Sequence, residues 1–335
     1  MALKSFLVDV PVRINIWIRP ECQRRQFEVI KKARPSILFL VSDGGRTEEE
    51  KVVIKKNREI FENEIDWECT IYKLYEQNNQ GMYTMSQKCR KYIWDRVDRC
   101  IFLEDDILPS VSFFQYCAEL LEYYKDDLRV HIICGMNHLG VSQNVNSDYF
   151  FSKQGSIWGT ATWRRSDKLY GDFDYAKDTY IMELLRKKTS KNRIFWKRVK
   201  AYSTQKYYEG HVAGSEFFFE FGVYAQNQLQ IIPKKNLISN IGCTEDSAHA
   251  DDINQLPKGI RKVFNMKTYE MDFPLKHAKY IIADKMYEKE RNKIMAYNTP
   301  LINFYRKIER LFLKIKTGNF KYIANKIIGK VKVEN

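Results

Sequence analysis

Five short apolar runs recur in the first 140 residues, and each predicts a buried β-strand. They span residues 12–18, 37–41, 67–75, 100–103 and 130–134. The first run alternates apolar and polar positions, whereas the second and fourth are continuously apolar, a pattern typical of strands buried on both faces. Residues with helical spacing separate the runs, at 21–33, 47–63, 82–97 and 110–124. Strands that alternate with helices predict a parallel sheet with right-handed crossovers, and therefore an α/β fold.

Two helix starts can be predicted from capping residues. Thr47 is followed three residues later by Glu50, the spacing of a capping box, so we expect Thr47 to be the N-cap. Ser110 precedes an apolar helical pattern and is expected to cap the helix after the fourth strand.

The pattern changes after about residue 140. Residues 149–163 combine aromatic with small residues, which suits either a binding loop or packing around a bend. Residues 176–209 are basic and predicted to be helical. Residues 214–224 place four Phe around Glu216 and Glu220. Residues 228–242 predict a strand, a break and a second short strand.

Composition narrows the class of protein. The chain has 335 residues, 44% of them hydrophobic, and a formal net charge of +14, which favours anionic partners. The seven Cys include no CxxC pair, so buried reduced thiols are expected, not a disulfide framework or a zinc site. Neither a cleavable signal nor a run of 18 apolar residues is found, so the expected location is the cytoplasm.

Acidic residues follow two of the predicted strands. Glu104, Asp105 and Asp106 come directly after the fourth, and Asp43 comes after the second. Three adjacent carboxylates near a core are costly unless a cation neutralises them, and a hard divalent cation with a phosphate-bearing ligand would do so. A solvated turn is the alternative. Because ligands bind beyond the carboxyl ends of parallel strands, the positions favour a site.

The stretch that contains these three acids resembles a known protein family. Residues 100–117, with Glu-Asp-Asp after an apolar strand, an apolar-Pro turn and then Phe113-Phe114, resemble the acidic motif of the GT-A glycosyltransferases. They are most similar to the N-glycan N-acetylglucosaminyltransferase family and its bacterial relatives. Residues 16–20, 41–44, 157–163 and 233–242 are similar to other parts of these proteins, in the same order. The resemblance covers residues 11–280.

The resemblance implies a GT-A-like (Rossmann-like) three-layer α/β/α sandwich with a mostly parallel sheet and a helical C-terminal extension. It implies a glycosyltransferase domain at 1–285, with a nucleotide-binding half at about 11–140 and an acceptor half at about 141–285. The donor would be a nucleotide-diphosphate sugar such as a UDP-sugar, carrying a hexosyl or N-acetylhexosaminyl group. The acceptor would be a hydroxyl of a glycan or lipid-linked glycan precursor for a cell-surface polysaccharide, and transfer would invert the anomeric centre.

Donor roles follow residue by residue from the same resemblance. Asp106 would bind the divalent cation, Mn²⁺ or Mg²⁺, while Glu104 and Asp105 would contact the nucleoside and sugar. Arg19 and Asp43 would hold the nucleotide. Two alternatives remain: Asp43, which precedes two glycines, could belong to an ordinary turn, and Arg19 could be a solvated loop residue.

Two further roles concern acceptor activation and the late metal contact. Glu216, where bacterial relatives carry an Asp, would be the catalytic base. Glu220 lies one helical turn away and could take that role instead, and either acid could simply lie on the surface. His249 would contact the metal or the diphosphate. The alternative is that His249 is a solvated loop residue with no such contact.

The C-terminal residues 286–335 predict a basic amphipathic tail. Phe304, Ile308, Leu311 and Ile315 share one helical stripe with basic residues on the other face. Such a helix could lie on the anionic inner face of the plasma membrane or pack on the domain.

Two other functions are compatible with parts of the sequence. A nucleotidyltransferase making sugar nucleotides would need a Gly-rich phosphate loop and a Lys after the first strand, and neither is evident at residues 15–25. A nucleic-acid-binding protein would use the positive charge, but its clustering in the tail, away from the acids, favours no nucleic-acid partner.

Overall fold

The computed structural model describes residues 3–203, 213–243 and 253–316. Ten strands are found there: β1 Val8–Asn15, β2 Pro35–Ser42, β3 Thr70–Tyr75, β4 Arg99–Leu103, β5 Ile107–Pro109, β6 Val130–Cys134, β7 Tyr149–Ser152, β8 Thr160–Trp163, β9 Leu229–Pro233 and β10 Ile238–Asn240. The α-helices are α1 Pro20–Ala33, α2 Glu48–Asn63, α3 Met82–Trp94, α4 Ser112–Tyr123, α5 Thr179–Lys188, α6 Arg193–Tyr202, α7 Ser215–Ala225, α8 Lys258–Arg261, α9 Lys285–Met295 and α10 Pro300–Lys316.

Eight strands form one sheet in the order β3-β2-β1-β4-β8-β6-β9-β7. Neighbours pair in parallel from β3 to β4 and between β6 and β9, whereas β8 and β7 are antiparallel to the strands beside them. The five strands expected from the apolar runs are all present. The mostly parallel α/β fold predicted from the sequence is therefore confirmed.

The alternation of side chains along the strands assigns each face of the sheet to its own helices. On β4, Ile101 and Leu103 belong to the core that contains Phe27 of α1 and Phe113 of α4. Phe102, on the opposite face, belongs to a cluster with residues of α3. The sheet is thus the middle of three layers, and its central strand β4 is covered on both faces.

Helix starts depart from the sequence prediction at one place. The Thr47 cap is confirmed, because its hydroxyl accepts a hydrogen bond from Glu50 N at 3.3 Å. The Ser110 cap was wrong: α4 begins at Ser112, and the carboxylate of Glu270 accepts from the N–H groups of Val111 and Ser112 at 3.2 and 2.7 Å. A carboxylate satisfies the free N–H groups of a helix start as well as a hydroxyl does.

Residues 149–163 form β7, a connection and β8, and both strands are buried, as the packing alternative expects. The connection at residues 154–157 lines a cleft, so the binding-loop alternative stays a prediction for that segment. Trp163 on β8 is 3% exposed and donates its indole N–H to the Leu121 carbonyl. The strand, break and short strand expected at 228–242 are confirmed as β9 and β10. None of the helices in the three described ranges has the length and apolar character to cross a bilayer.

Candidate active site

The three acids that follow β4 do not share one environment. Glu104 lines a cleft of about 390 Å³ together with Arg13, Arg90 and Ser215. Asp105 and Asp106 are not among the residues that line this cleft. The sequence brings the acids to one edge of the sheet, and the structure gives them different surroundings.

Arg19, at the residue before α1, pairs with the other two acids. Its Nη1 lies 3.0 Å from Asp105 Oδ2 and 3.4 Å from Asp106 Oδ2. All three side chains are at most 16% exposed. A guanidinium held between two carboxylates at this burial fixes the position of both acids.

Burial shifts the pKa values of two of the carboxylates at this edge. Burial raises the pKa of Glu104 to about 7 and that of Asp105 to about 6, and the charge of Asp106 adds to both shifts. Arg13 opposes the shift at Glu104, and Arg19 opposes it at both acids. An additional cation here would stabilise the ionised carboxylates.

The segment after β10 closes over Asp106. Ile241 N donates to the Asp106 backbone carbonyl at 2.9 Å. A Cβ added at Gly242 would lie 2.1 Å from Asp106 Oδ2, so only glycine allows this approach. Beneath the turn, the buried Gln26 amide donates to the carbonyls of Glu104 and Ile107 at 2.7 and 2.6 Å. Both supports come from residues remote in sequence, so no local pattern could have revealed them.

The carboxylates at this edge could hold a divalent cation only with help from another ligand. Among the described residues, no group of three His, Cys, Asp or Glu is arranged to hold a metal ion. A hard cation needs only one or two protein carboxylates when a ligand's phosphate oxygens complete its coordination. Asp105 and Asp106 supply the carboxylate oxygens that Mg²⁺ or Mn²⁺ prefers, and an added positive charge would favour the ionised forms of Glu104 and Asp105, so the chemistry of these residues fits such a cation carried with a phosphate-bearing ligand. His249 lies outside the described residues.

Asp43 lies at the end of β2, and its carboxylate organises the next loop. Oδ1 accepts from the N–H groups of Gly44 and Gln80, each at 2.8 Å. Oδ2 accepts from Gly81 N at 2.9 Å and from the Asn79 amide at 3.2 Å. The side chain thereby ties the 79–81 loop to the edge of the sheet, immediately before α3.

A second acidic cleft of about 480 Å³ lies against α7. Glu216 Oε1 and Glu220 Oε2 lie 3.3 and 3.6 Å from Arg198 Nη1, and the Asn192 amide donates to Glu220 Oε1 at 2.8 Å. The Glu216 side chain is 45% exposed, whereas that of Glu220 is only 18% exposed. Both acids therefore belong to one cluster around Arg198, and Glu216 is the one that faces solvent.

The two clefts adjoin each other. Ile157 and Phe219 line both of them. On α7, Ser215 lines the Glu104 cleft and the next residue, Glu216, lines the second. The structure thus places Glu104 and the two acids of α7 on two sides of a shared wall.

Basic residues of both clefts were missed by the sequence prediction. Arg13 lies on β1 and donates to the Leu103 carbonyl at 3.1 Å, while Arg90 on α3 pairs with Asp167 and stacks on the Tyr170 ring at 3.8 Å. An arginine among the apolar positions of a predicted central strand is a usable signal for Arg13. Arg198 sits in a generally basic segment and has no such signal.

Glu220 gives a pH-dependent stability that can be measured. Burial raises its pKa to about 7 against the opposing effects of Arg198, Arg291 and Asn192, and Glu216 adds to the rise. The folded state then holds a proton that the unfolded state releases near pH 4.5. Between about pH 4.5 and 7, we expect the unfolding free energy of the wild type to fall by roughly 3 kcal/mol relative to Glu220→Gln.

Denaturant titrations of both proteins from pH 5 to 8 measure this difference. Glu183→Gln is the control, because Arg186 lowers the pKa of this exposed acid to about 2, outside that window. Wild type and Glu220→Gln giving parallel curves would contradict the raised pKa of Glu220.

No protein-family profile and no curated protein matches the chain. Solved structures do match. A mannosyltransferase from Pyrobaculum calidifontis, in complex with GDP-Man and Mn²⁺, is 9% identical with a TM-score of 0.35, covering 65% of this chain and 72% of its own. Mouse xyloside xylosyltransferase 1, apo form, is 11% identical with a TM-score of 0.35, covering 66% and 84%.

A third match is 4-diphosphocytidyl-2C-methyl-D-erythritol synthase from Anaerococcus prevotii, 8% identical with a TM-score of 0.34, covering 67% of this chain and 85% of its own. Two of these proteins are glycosyltransferases, and none is an N-glycan N-acetylglucosaminyltransferase. At such low similarity the function has to be inferred from the site itself.

Proposed function

We propose that this protein is a metal-dependent glycosyltransferase that moves a sugar from a nucleotide-diphosphate donor, a UDP-sugar, to a hydroxyl of a glycan or lipid-linked glycan precursor. The observation that carries the proposal is the pair of adjoining clefts. One is lined by Glu104 at the carboxyl edge of the sheet, where the nucleotide and its cation would bind, and the other by Glu216 and Glu220, acids suited to activating a hydroxyl. Ile157 and Phe219, in the wall of both, would put the two substrates side by side.

On the donor side, Asp106 would hold the cation and Arg19 would keep Asp105 and Asp106 in place. Glu104 would contact the donor sugar from the cleft it lines with Arg13. Mg²⁺ or Mn²⁺, when bound, would offset the negative charge that develops on the leaving nucleoside diphosphate. Raised pKa values support these roles, because both Glu104 and Asp105 gain from any added positive charge.

Asp43 would act on the nucleotide through the loop that it organises. Its oxygens already accept hydrogen bonds from the backbone of residues 44, 80 and 81. The 79–81 loop then forms a fixed border at the end of β2, next to the expected nucleotide position. The direct contact expected from the sequence becomes, in this proposal, a positioning role.

On the acceptor side, Glu216 would be the base. It would take the proton of the acceptor hydroxyl as that oxygen bonds to the anomeric carbon and the bond to the diphosphate oxygen breaks. Attack opposite the leaving group in one step inverts the anomeric configuration. Glu220, held by Asn192 and facing Arg198, would keep the arginine aligned with Glu216.

The cytoplasm is the proposed location. Five cysteines are buried and outside any disulfide: Cys22, Cys89, Cys100, Cys117 and Cys134. Buried reduced thiols fit a reducing compartment, where nucleotide sugars would be the donor pool.

The test is nucleotide release by the full chain. Purified protein is incubated with a panel of UDP- and GDP-sugars, each with Mn²⁺, Mg²⁺ or a chelator, with and without glycan acceptors. We expect UDP release that requires the cation and rises with an acceptor, and a product whose anomeric configuration, read by NMR, is opposite to that of the donor. Pyrophosphate release from UTP and a sugar 1-phosphate, with no transfer from any nucleotide sugar, would contradict the proposal and identify the reaction as nucleotidyl transfer.

A further inference from the structure

The helix α10 turns an apolar stripe to solvent. The stripe recurs at intervals of three and four residues: Leu301, Phe304, Tyr305, Ile308, Leu311, Phe312 and Ile315. The exposed fractions are 59% for Phe304 and 66% for Phe312, and no residue of the helix is buried. A contiguous apolar face of this kind usually marks an interaction surface.

The opposite side of α10 is attached to the domain. The Arg306 guanidinium donates to the carbonyls of Lys293 and Ile294 at the end of α9. Glu309 Oε1 accepts from Lys258 N, at the start of α8, at 2.8 Å. These contacts hold the helix by its polar side, so the apolar stripe is presented outward by the fold.

Positive charge surrounds the stripe. Lys307, Lys314 and Lys316 flank it along the helix. Residues 300–335 contain seven Lys and two Arg against two Glu, which is about half of the chain's excess positive charge. A surface that combines exposed Phe and Tyr with flanking lysines is complementary to an apolar layer covered by anionic groups.

We infer that α10 docks this protein on an anionic lipid bilayer, with the apolar stripe in the interfacial region and the lysines against lipid phosphates. A second copy of the chain is a poorer occupant, since two such basic faces would repel each other. Nucleic acid would engage the lysines but would leave the apolar stripe in water.

In sequence, α10 lies close to residues that line the second cleft. Tyr297, three residues before α10, lines that cleft together with Arg291 of α9. Docking would therefore bring the Glu216 cleft near the bilayer surface, where a lipid-linked acceptor presents its hydroxyl. This consequence rests on the proposed function, whereas the docking itself does not.

Vesicle co-sedimentation with the full chain tests the inference. The probes are vesicles of phosphatidylcholine alone and of phosphatidylcholine with phosphatidylglycerol. We expect binding to the anionic vesicles, weakened by salt, and a loss of at least about tenfold in affinity for Phe304→Gln/Phe312→Gln, because two large apolar side chains leave the interface. Gln keeps helix propensity and both positions are exposed, so the variant should fold.

The control variant is Leu128→Gln/Tyr180→Gln, which removes two apolar side chains of similar exposure, 67% and 69%, from elsewhere on the surface. It should bind as the wild type does. Equal binding by the α10 variant, or no wild-type binding to anionic vesicles, would overturn the inference. So would a dimer that the α10 variant abolishes while vesicle binding is absent. No sugar transfer is measured, so the result is independent of the proposed function.

Discussion

Asp106→Asn should lower cation-dependent sugar transfer about a thousandfold, because a metal-held leaving group contributes several kcal/mol and each 1.4 kcal/mol is a factor of ten. The amide keeps the size of the side chain but removes the charge that would hold the cation. Arg19 keeps its 3.0 Å pairing with Asp105, so the turn after β4 should remain folded. Initial rates at saturating donor, over a range of Mn²⁺ concentrations, measure the effect.

A second readout does not depend on turnover. Mn²⁺ binding in the presence of UDP, followed by calorimetry, should weaken in Asp106→Asn. Asp95→Asn, which changes an exposed acid at the end of α3, is the matched control and should leave both measurements unchanged. An Asp106→Asn protein with normal transfer and normal Mn²⁺ affinity would remove Asp106 from the metal site.

Glu216→Gln should lower kcat by about a hundredfold to ten thousandfold with little change in donor KM, as loss of a general base does. The side chain lines the cleft next to the one that holds Glu104, and Arg198 lies 3.3 Å away, able to orient the carboxylate. Kinetics at varied donor and acceptor concentrations separate a lost base from weakened binding.

Glu220→Gln is the comparison that assigns the base. If Glu216 is the base, Glu220→Gln should reduce kcat much less, through a less well-placed Arg198. If Glu220 is the base, its variant should suffer the larger loss, and the wild-type rate should rise with pH through about 7, since burial raises the pKa of Glu220 to about 7. A full loss in Glu220→Gln with normal activity in Glu216→Gln would reverse the proposed roles.

The central strands could be predicted because strands buried on both faces have an apolar local composition. Residues 37–41 and 100–103 are covered on both faces, so they are apolar throughout, and they appear as the centres of β2 and β4. The cap at Thr47 also depends only on residues within one turn. Each of these features is decided by neighbours in the chain.

Other elements depend on partners far away in sequence. The start of α4 is satisfied by Glu270, 158 residues beyond Ser112, and so a local hydroxyl was favoured wrongly. β7 and β8 are four residues long and lie in a stretch that mixes aromatic with small residues, a composition shared by bends and loops. Only their pairing with β9, β4 and β6 makes them strands. Such pairings cannot be predicted from the local sequence pattern.

The candidate site is intermediate between these cases. The acids after β4 were predicted from their position at a strand end, but the different surroundings of Glu104 and of its two neighbours depend on tertiary contacts. The partners Arg13 and Arg19 reach them across 80 to 90 residues, and the tight contact at Gly242 comes from the other end of the domain. The sequence shows where the acidic residues lie along the chain, and the tertiary structure determines which arginines they contact.

The wall shared by the two clefts has a consequence for how the specificity of this protein can change. Phe219 stands on the same helix as the two acids, one turn after Glu216 and directly before Glu220, and it lines both clefts. A smaller or larger side chain there would reshape the space for either substrate at once. Natural or laboratory selection for a new donor would then carry a change in acceptor preference with it, and the two preferences would evolve as one trait.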